Sequence, residues 1–188
     1  MRNFHGTNYG ERTRKIVYTA LFSALIAAMS QIAIPLPSGV PLTLQTFAIA
    51  FAGFFLGWKS ALASMLIYIA LGAMGVPVFA NFTGGIQKLV GLTGGFIWGF
   101  VALAVFSGVA FNGKKNSVVC SVASSIAGLA VCHLLGITQF SLVSGTEWGA
   151  SAIAVSVPYI AKDVLSVLAA YWVSVNVKKR VGYLSDTE

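Results

Sequence analysis

Two adjacent charged residues, Lys162 and Asp163, stand near the middle of an apolar stretch, 150–177, that is long enough to cross a bilayer. A Lys or Asp at the centre of a membrane helix costs roughly 2.5–3.5 kcal/mol on insertion scales. Such residues normally face a bundle interior or a ligand cavity, so they mark a candidate functional site. Neighbouring helical residues point about 100° apart, so the two need not pair with each other. On the Asp163 face, Ser156, Tyr159, Ser166 and Ala170 recur at spacings of three and four, a polar or small stripe on an apolar helix. The plainer alternative is a structural pair that only neutralises itself.

A second polar set lies where the chain re-enters the apolar phase at PLTLQTF (41–47), with Thr43, Gln45 and Thr46. Joined with Asn81, Gln87, Lys88, Tyr159, Lys162 and Asp163, these groups suffice to line an outward-facing pocket. Phe47, Phe79, Phe82 and Trp148 are candidates for its walls. Such a mixture suits a small, largely apolar ligand with an anionic end and a hydrogen-bonding end. Catalysis finds no support: there is no HExxH, no GxSxG and no His/Cys ligand cluster, and His5 and His133 stand alone. The run GVAFNGKK (108–115) approaches a phosphate-binding loop, but Lys115 replaces its Ser/Thr and no strand precedes it. The tripeptide Asn81-Phe82-Thr83 fits a glycosylation acceptor, a pattern common by chance.

The elements that must position these residues are membrane spans. The chain is 57% hydrophobic and 9% charged, whereas soluble domains are about 25% charged. Its net charge of +7 does not indicate nucleic acid, because the basic residues cluster at the ends of apolar runs rather than along a stripe with aromatics. Six spans are expected, at 16–34, 43–57, 60–76, 94–111, 117–137 and 150–177, forming one membrane domain over 1–188. The second and third are short for a bilayer and joined only by Trp58-Lys59, which predicts a tight hairpin. The first span is full length without a convincing cleavage site, so it reads as retained rather than as a signal peptide. With both termini in the cytoplasm, ten of the twelve Lys and Arg fall inside, Lys88 falls outside and Lys162 lies within a span.

Loops follow the same sidedness. Inner connections are minimal, whereas the outer ones (35–42, 75–93 and 138–149) are long and rich in Gly, Pro and polar groups. Elaborate loops on one face usually carry the binding chemistry. The apolar residues within 75–93 predict a lid folded back onto the bundle. Ala20, Ala24 and Ala28, widened by Ser23 and Ala27, make one face of the first span nearly smooth, for a helix of the same bundle or of a partner. Gly53-x3-Gly57 and Gly91-x3-Gly95-x3-Gly99 read as internal packing seams. Cys120 and Cys132 fall about 18 Å apart on one helix, beyond disulfide reach, and read as packing residues.

The runs IPLPSGVPLTLQTF (34–47), GxxLGWKSALA (53–63), YIALGAMGVPVFA (68–80) and GLTGGFIWGF (91–100), with the segment from Pro158 to Asp163, resemble the BioY family. Members of that family are biotin-specific substrate-binding (S) components of energy-coupling-factor (ECF) vitamin transporters in prokaryotes. The resemblance implies an all-α, multi-pass protein of the prokaryotic cell membrane, binding biotin near its outer face as transported ligand and using no cofactor. It also implies docking onto a transmembrane coupling subunit served by two cytoplasmic ATPases, with Ala20, Ala24 and Ala28 matching the small-residue face that related S components present. Asp163 matches the family's last-helix pattern. Lys162 replaces its glycine, however, and Ser166 stands where its lysine is usual, while Lys88 occupies a position usually apolar.

Against biotin, Asp163 is expected to accept a ureido N–H, with Asn81, Gln45 or Thr43 completing that end. Phe79, Phe82 or Tyr159 would cover the sulfur ring, and Lys88 or Lys162 would neutralise the carboxylate. Two alternatives stay open: an S component for another small carboxylate, such as a biotin precursor or lipoate, and a stand-alone facilitator. The second requires a continuous polar path, whereas the polar residues concentrate in the outer half.

Overall fold

A hydrocarbon layer offers no water to backbone polar groups, so a chain this apolar must close its hydrogen bonds internally, in helices or a closed barrel; this chain uses helices. The computed structural model describes residues 6–111 and 117–181, and helix dominates them. Eight α-helices follow in order: α1 (Gly6–Gln31), α2 (Gln45–Leu56), α3 (Trp58–Ala73), α4 (Ile86–Val90), α5 (Gly94–Phe111), α6 (Val118–Ser144), α7 (Trp148–Val155) and α8 (Val157–Val181). Between α1 and α2, the two-residue strands β1 (Ala33–Ile34) and β2 (Leu42–Thr43) pair antiparallel, with Ala33 opposite Thr43. A single 3-10 turn, Ala80–Phe82, precedes α4. Helices α1, α2, α3, α5 and α6, and then α7 with α8, overlap in order the six apolar stretches read from the sequence.

Their bounds differ from expectation for local reasons. The first helix stops at Gln31 rather than 34, because Ala33 and Ile34 leave it to pair with β2. The hairpin joint is Gly57, not Trp58-Lys59, which already belong to α3; at φ 78° and ψ 165° this position suits only glycine. Helix α6 runs on to Ser144, so the outer loop expected over 138–149 shrinks to 145–147. There Gly145, at φ 69°, caps α6 through its N–H to the Ser141 carbonyl. The last span is broken at Ser156 (φ −123°, ψ −54°) into α7 and α8. Pro158 explains the break, since it has no N–H and its ring crowds the carbonyl four residues back. Lys162 and Asp163 therefore sit near the start of α8 rather than mid-helix.

Packing follows the small residues. A Cβ on Gly53 would lie 2.5 Å from the Ser107 Cβ, and one on Gly99 2.5 Å from the Cys132 Cα. These glycines let α2 approach α5, and α5 approach α6, almost backbone to backbone. Ile26, Ile49, Phe54, Met65, Tyr68 and Leu103 fill the centre. Outside it, Leu21, Val119, Leu142, Ile153 and Trp172 are exposed, an apolar surface that water would not tolerate at this extent and lipid would. Two helices, Val118–Ser144 and Val157–Arg180, have the length and apolarity of a bilayer crossing, and three shorter apolar helices accompany them.

Helix α1 ends, and α8 begins, at the same end of the bundle, so residues 6 and 181 lie at the other. Of the basic residues expected inside, Arg12, Arg14, Lys15, Lys59, Lys178, Lys179 and Arg180 occupy that far end, while Arg2, Lys114 and Lys115 lie outside the described residues. So do His5 and the end of the phosphate-loop-like run. On α1, Ala20, Ala24 and Ala28 are exposed. Ser23 does not widen their face: it is buried, and its hydroxyl donates to the Ser64 carbonyl of α3 at 2.8 Å. Cys132 is buried, whereas Cys120 is exposed rather than packed.

Candidate functional site

Asp163 is held by three helices. On Oδ1 it accepts from the Thr46 hydroxyl at 2.7 Å and pairs with the Lys162 ammonium. On Oδ2 it lies 3.3 Å from His133 Nε2 of α6. Lys162 also donates to the Thr43 carbonyl at 2.8 Å, where β2 hands over to α2. The two neighbours in sequence thus do pair, because the long lysine side chain folds back over the start of α8. Asp163 is 6% exposed and Thr46 2%. A carboxylate so enclosed must have its charge matched, and Lys162 does so; the two hydrogen-bonded partners sit on Oδ1, which leaves acceptor capacity on Oδ2.

This cluster forms part of the wall of a cavity of about 130 Å³. Gln45 joins it from the first turn of α2, its amide donating to the Tyr68 hydroxyl at 2.9 Å. Tyr68 stands edge-on to Phe79, ring centroids 5.4 Å apart. Phe96, Ile97, Phe100 and Leu129 supply the apolar wall from α5 and α6. Tyr159 closes another side, its hydroxyl donating to the Val40 carbonyl and lying 3.2 Å from the Ser38 hydroxyl, which ties the 35–41 loop to α8. Asn81, Thr83 and Lys88 line the cavity from the lid segment. Lys88 is half-buried and has no ion-pair partner among the described residues.

The lid is anchored from α1. The Ser30 hydroxyl donates to the Val78 carbonyl at 2.6 Å, and the Gln31 amide donates to those of Val78 at 3.0 Å and Phe79 at 3.2 Å. Gln31 Oε1 accepts from the Phe82 N–H at 2.8 Å. These bonds hold Asn81 and Phe82 at φ 59° and 54°, left-handed values that cost non-glycine residues about 1–3 kcal/mol each. The Gln139 amide of α6 secures the far side through the Leu89 and Gly91 carbonyls.

Of the residues expected to meet a ligand, the cavity brings together Thr43, Gln45, Phe79, Asn81, Lys88, Tyr159, Lys162 and Asp163. Two fall elsewhere. Phe82 is 71% exposed, because the left-handed turn that faces Asn81 to the cavity turns its neighbour out. Gln87 bends back to donate to the Gly84 carbonyl, outside the lining. Of the other candidate walls, Phe47 is half-buried and stacks on Phe51 against the core, and Trp148 is exposed. His133 and Tyr68 were missed. A signal for His133 existed: it shares the stripe Ser125, Leu129, Cys132, Gly136 and Phe140, whose spacing of three and four gives the buried face of α6.

Ser156, His133 and Asp163 together have the residue types of a catalytic triad. Ser156 does not line the cavity, however, so its hydroxyl is closed to a substrate there. What the arrangement can do is bind: a neutral, hydrogen-bonding group beside Asp163, apolar surface against the aromatics, and an anion at Lys88.

The BioY family model matches residues 2–183. A Thermotoga maritima protein described as biotin transporter BioY is 38% identical over 167 residues, covering 88% of this chain and 96% of the relative. A Rhodobacter capsulatus protein of the same description is 34% identical over 170 residues, covering 82% and 88%. A crystal structure described as the S-component for biotin from an ECF-type ABC transporter superposes with a TM-score of 0.83, covering 95% of each chain at 21% identity. At that identity the likeness is one of fold.

Proposed function

The chain belongs to the BioY family of membrane proteins, and on that premise we propose that it captures biotin for uptake across the prokaryotic cell membrane. The observation that carries this reading is a cavity wall that holds two unlike charged features. Lys162 and Asp163 neutralise each other, so a ligand group beside them must be uncharged and hydrogen-bonding. Lys88, from the 75–93 segment, offers a cation with no ion-pair partner among the described residues. Biotin has a neutral ureido ring, an apolar sulfur ring and a carboxylate tail in that order.

The occupancy of donors favours one assignment for each lysine. Lys162 already serves Asp163 and the Thr43 carbonyl, so Lys88 takes the carboxylate. Asp163 has about four lone-pair sites, of which Thr46 and Lys162 occupy two, leaving Oδ2 with capacity for a ureido N–H. Gln45 and Asn81 complete the polar lining, and Phe79 and Tyr159 cover the rings. Aromatic walls with few convergent polar groups are the usual build of such pockets.

The rest of the reading is transport. The chain acts as one domain over 1–188, both termini in the cytoplasm and the cavity opening outward. As an S component it docks through the exposed Ala20, Ala24 and Ala28 of α1 onto a transmembrane coupling subunit driven by two cytoplasmic ATPases. A ligand shifts an equilibrium only through differential affinity, so those ATPases must supply the work of release.

Titration calorimetry in detergent, after a check for co-purified ligand, tests the capture step. None of the four tryptophans lines the cavity, so heat is a better signal than fluorescence. Saturable binding of one biotin per chain is expected, with lipoate, which lacks the ureido ring, competing poorly. Absence of both heat and co-purified ligand would remove biotin from this chain; lipoate binding as tightly would shift the reading to another carboxylate.

A further inference from the structure

His133 is buried in the cavity wall at 8% exposure, and the binding scheme above leaves it without a role. Its Nδ1 lies 2.8 Å from the Ser156 hydroxyl, and its ring meets Phe96 edge-on at 6.0 Å. The Pro158 break between α7 and α8 leaves Ser156 at this position. Carboxylate oxygens only accept, so a bare Nε2 lone pair against Asp163 would be repelled. The stable arrangement has Ser156 donating to Nδ1 and the hydrogen on Nε2. Yet Nε2, 3.3 Å from Asp163 Oδ2, makes no aligned hydrogen bond among the described residues. A buried N–H left this way carries its desolvation penalty uncompensated and calls for a partner.

We infer that His133 Nε2–H is a ligand-binding donor that takes the carbonyl oxygen of a cyclic urea while Asp163 Oδ2 accepts the N–H beside it. Donor and acceptor 3.3 Å apart in one cavity wall match the adjacent N–H and C=O on one edge of such a ring. The pair therefore selects a cis N–H/C=O edge, the chemistry of cyclic ureas and lactams, and Ser156 sets the tautomer that makes the reading possible. The inference rests on the biotin reading and adds the residue that recognises the carbonyl.

The test compares biotin with 2-iminobiotin, whose cyclic guanidinium at neutral pH carries N–H donors where biotin has its acceptor. Calorimetry on wild type, H133F and H133Q reads both affinities. H133F, which keeps an aromatic ring, is expected to weaken biotin about tenfold and 2-iminobiotin less than twofold. H133Q, which retains an N–H, recovers part of the biotin loss. S156A keeps the imidazole but frees its tautomer, and loses about threefold, again for biotin alone. It carries the test if the ring substitutions do not fold. Equal losses for both ligands mark a packing residue and overturn the inference, as does an H133F protein that binds biotin like wild type. Wild type that binds no biotin overturns the functional reading itself, a different result.

Discussion

Replacing Asp163 by Asn removes one negative charge at a residue of nearly unchanged shape. In the native site Oδ1 holds Thr46 and Lys162, and Oδ2 has lone pairs for a ligand. The amide keeps one acceptor oxygen and gains an NH2 group. Turned to the cavity, that group opposes a ureido N–H; turned inward, it opposes the Lys162 ammonium. Either way a charge-assisted hydrogen bond is lost, worth about 1.5–3 kcal/mol. At 1.4 kcal/mol per decade, biotin affinity should fall roughly 10- to 150-fold. Stability should fall as well. Lys162, its side chain 21% exposed, keeps the Thr43 carbonyl but loses its counter-charge, and an orphaned buried charge costs about 3–5 kcal/mol, less where water reaches it. Adding K162M should restore much of the thermal stability without restoring affinity. Calorimetry and thermal unfolding in one detergent separate the two effects. D163N protein with biotin affinity within about twofold of wild type refutes the ureido assignment.

Four further outcomes follow from other parts of the molecule. K88M should weaken biotin about three- to tenfold while leaving biotin methyl ester unchanged, since only the free acid carries the charge; equal losses would contradict the carboxylate assignment. Q31A removes the lid's bonds to Val78, Phe79 and Phe82, so biotin should dissociate about tenfold faster in stopped-flow chase, with faster hydrogen exchange at 78–83. G99A should destabilise by about 1–3 kcal/mol, because its Cβ meets the Cys132 backbone at 2.5 Å, whereas G149A, with nothing within 4 Å, should melt like wild type. A24W should bind biotin normally in detergent yet abolish ATP-driven uptake once reconstituted with an ECF module; normal uptake would move the partner surface elsewhere.

Much of this was legible in one dimension because lipid is a strict solvent. Apolar runs of span length, basic residues gathered at alternate ends and a costly Lys-Asp pair on a small-residue stripe each follow from local composition. They were enough to place the helices, and the motifs between 34 and 100 were enough for the family. Thr43, Gln45, Asn81 and Asp163, which line the cavity, stood out because a polar residue in an apolar run costs free energy that a binding site or a buried partner must offset.

What only the tertiary structure decided depends on which groups meet across helices. That Lys162 is occupied and Lys88 is not depends on the Thr43 carbonyl, 119 positions away in the chain. Asn81 and Phe82 are neighbours with opposite fates, because one left-handed turn, held by Gln31 from α1, points only the first at the cavity. His133 looked like an ordinary helix residue until the Pro158 break brought Ser156 to one side of its ring and Asp163 to the other. Sequence periodicity reports the face a residue occupies; the partner it finds there is set by how the helices pack.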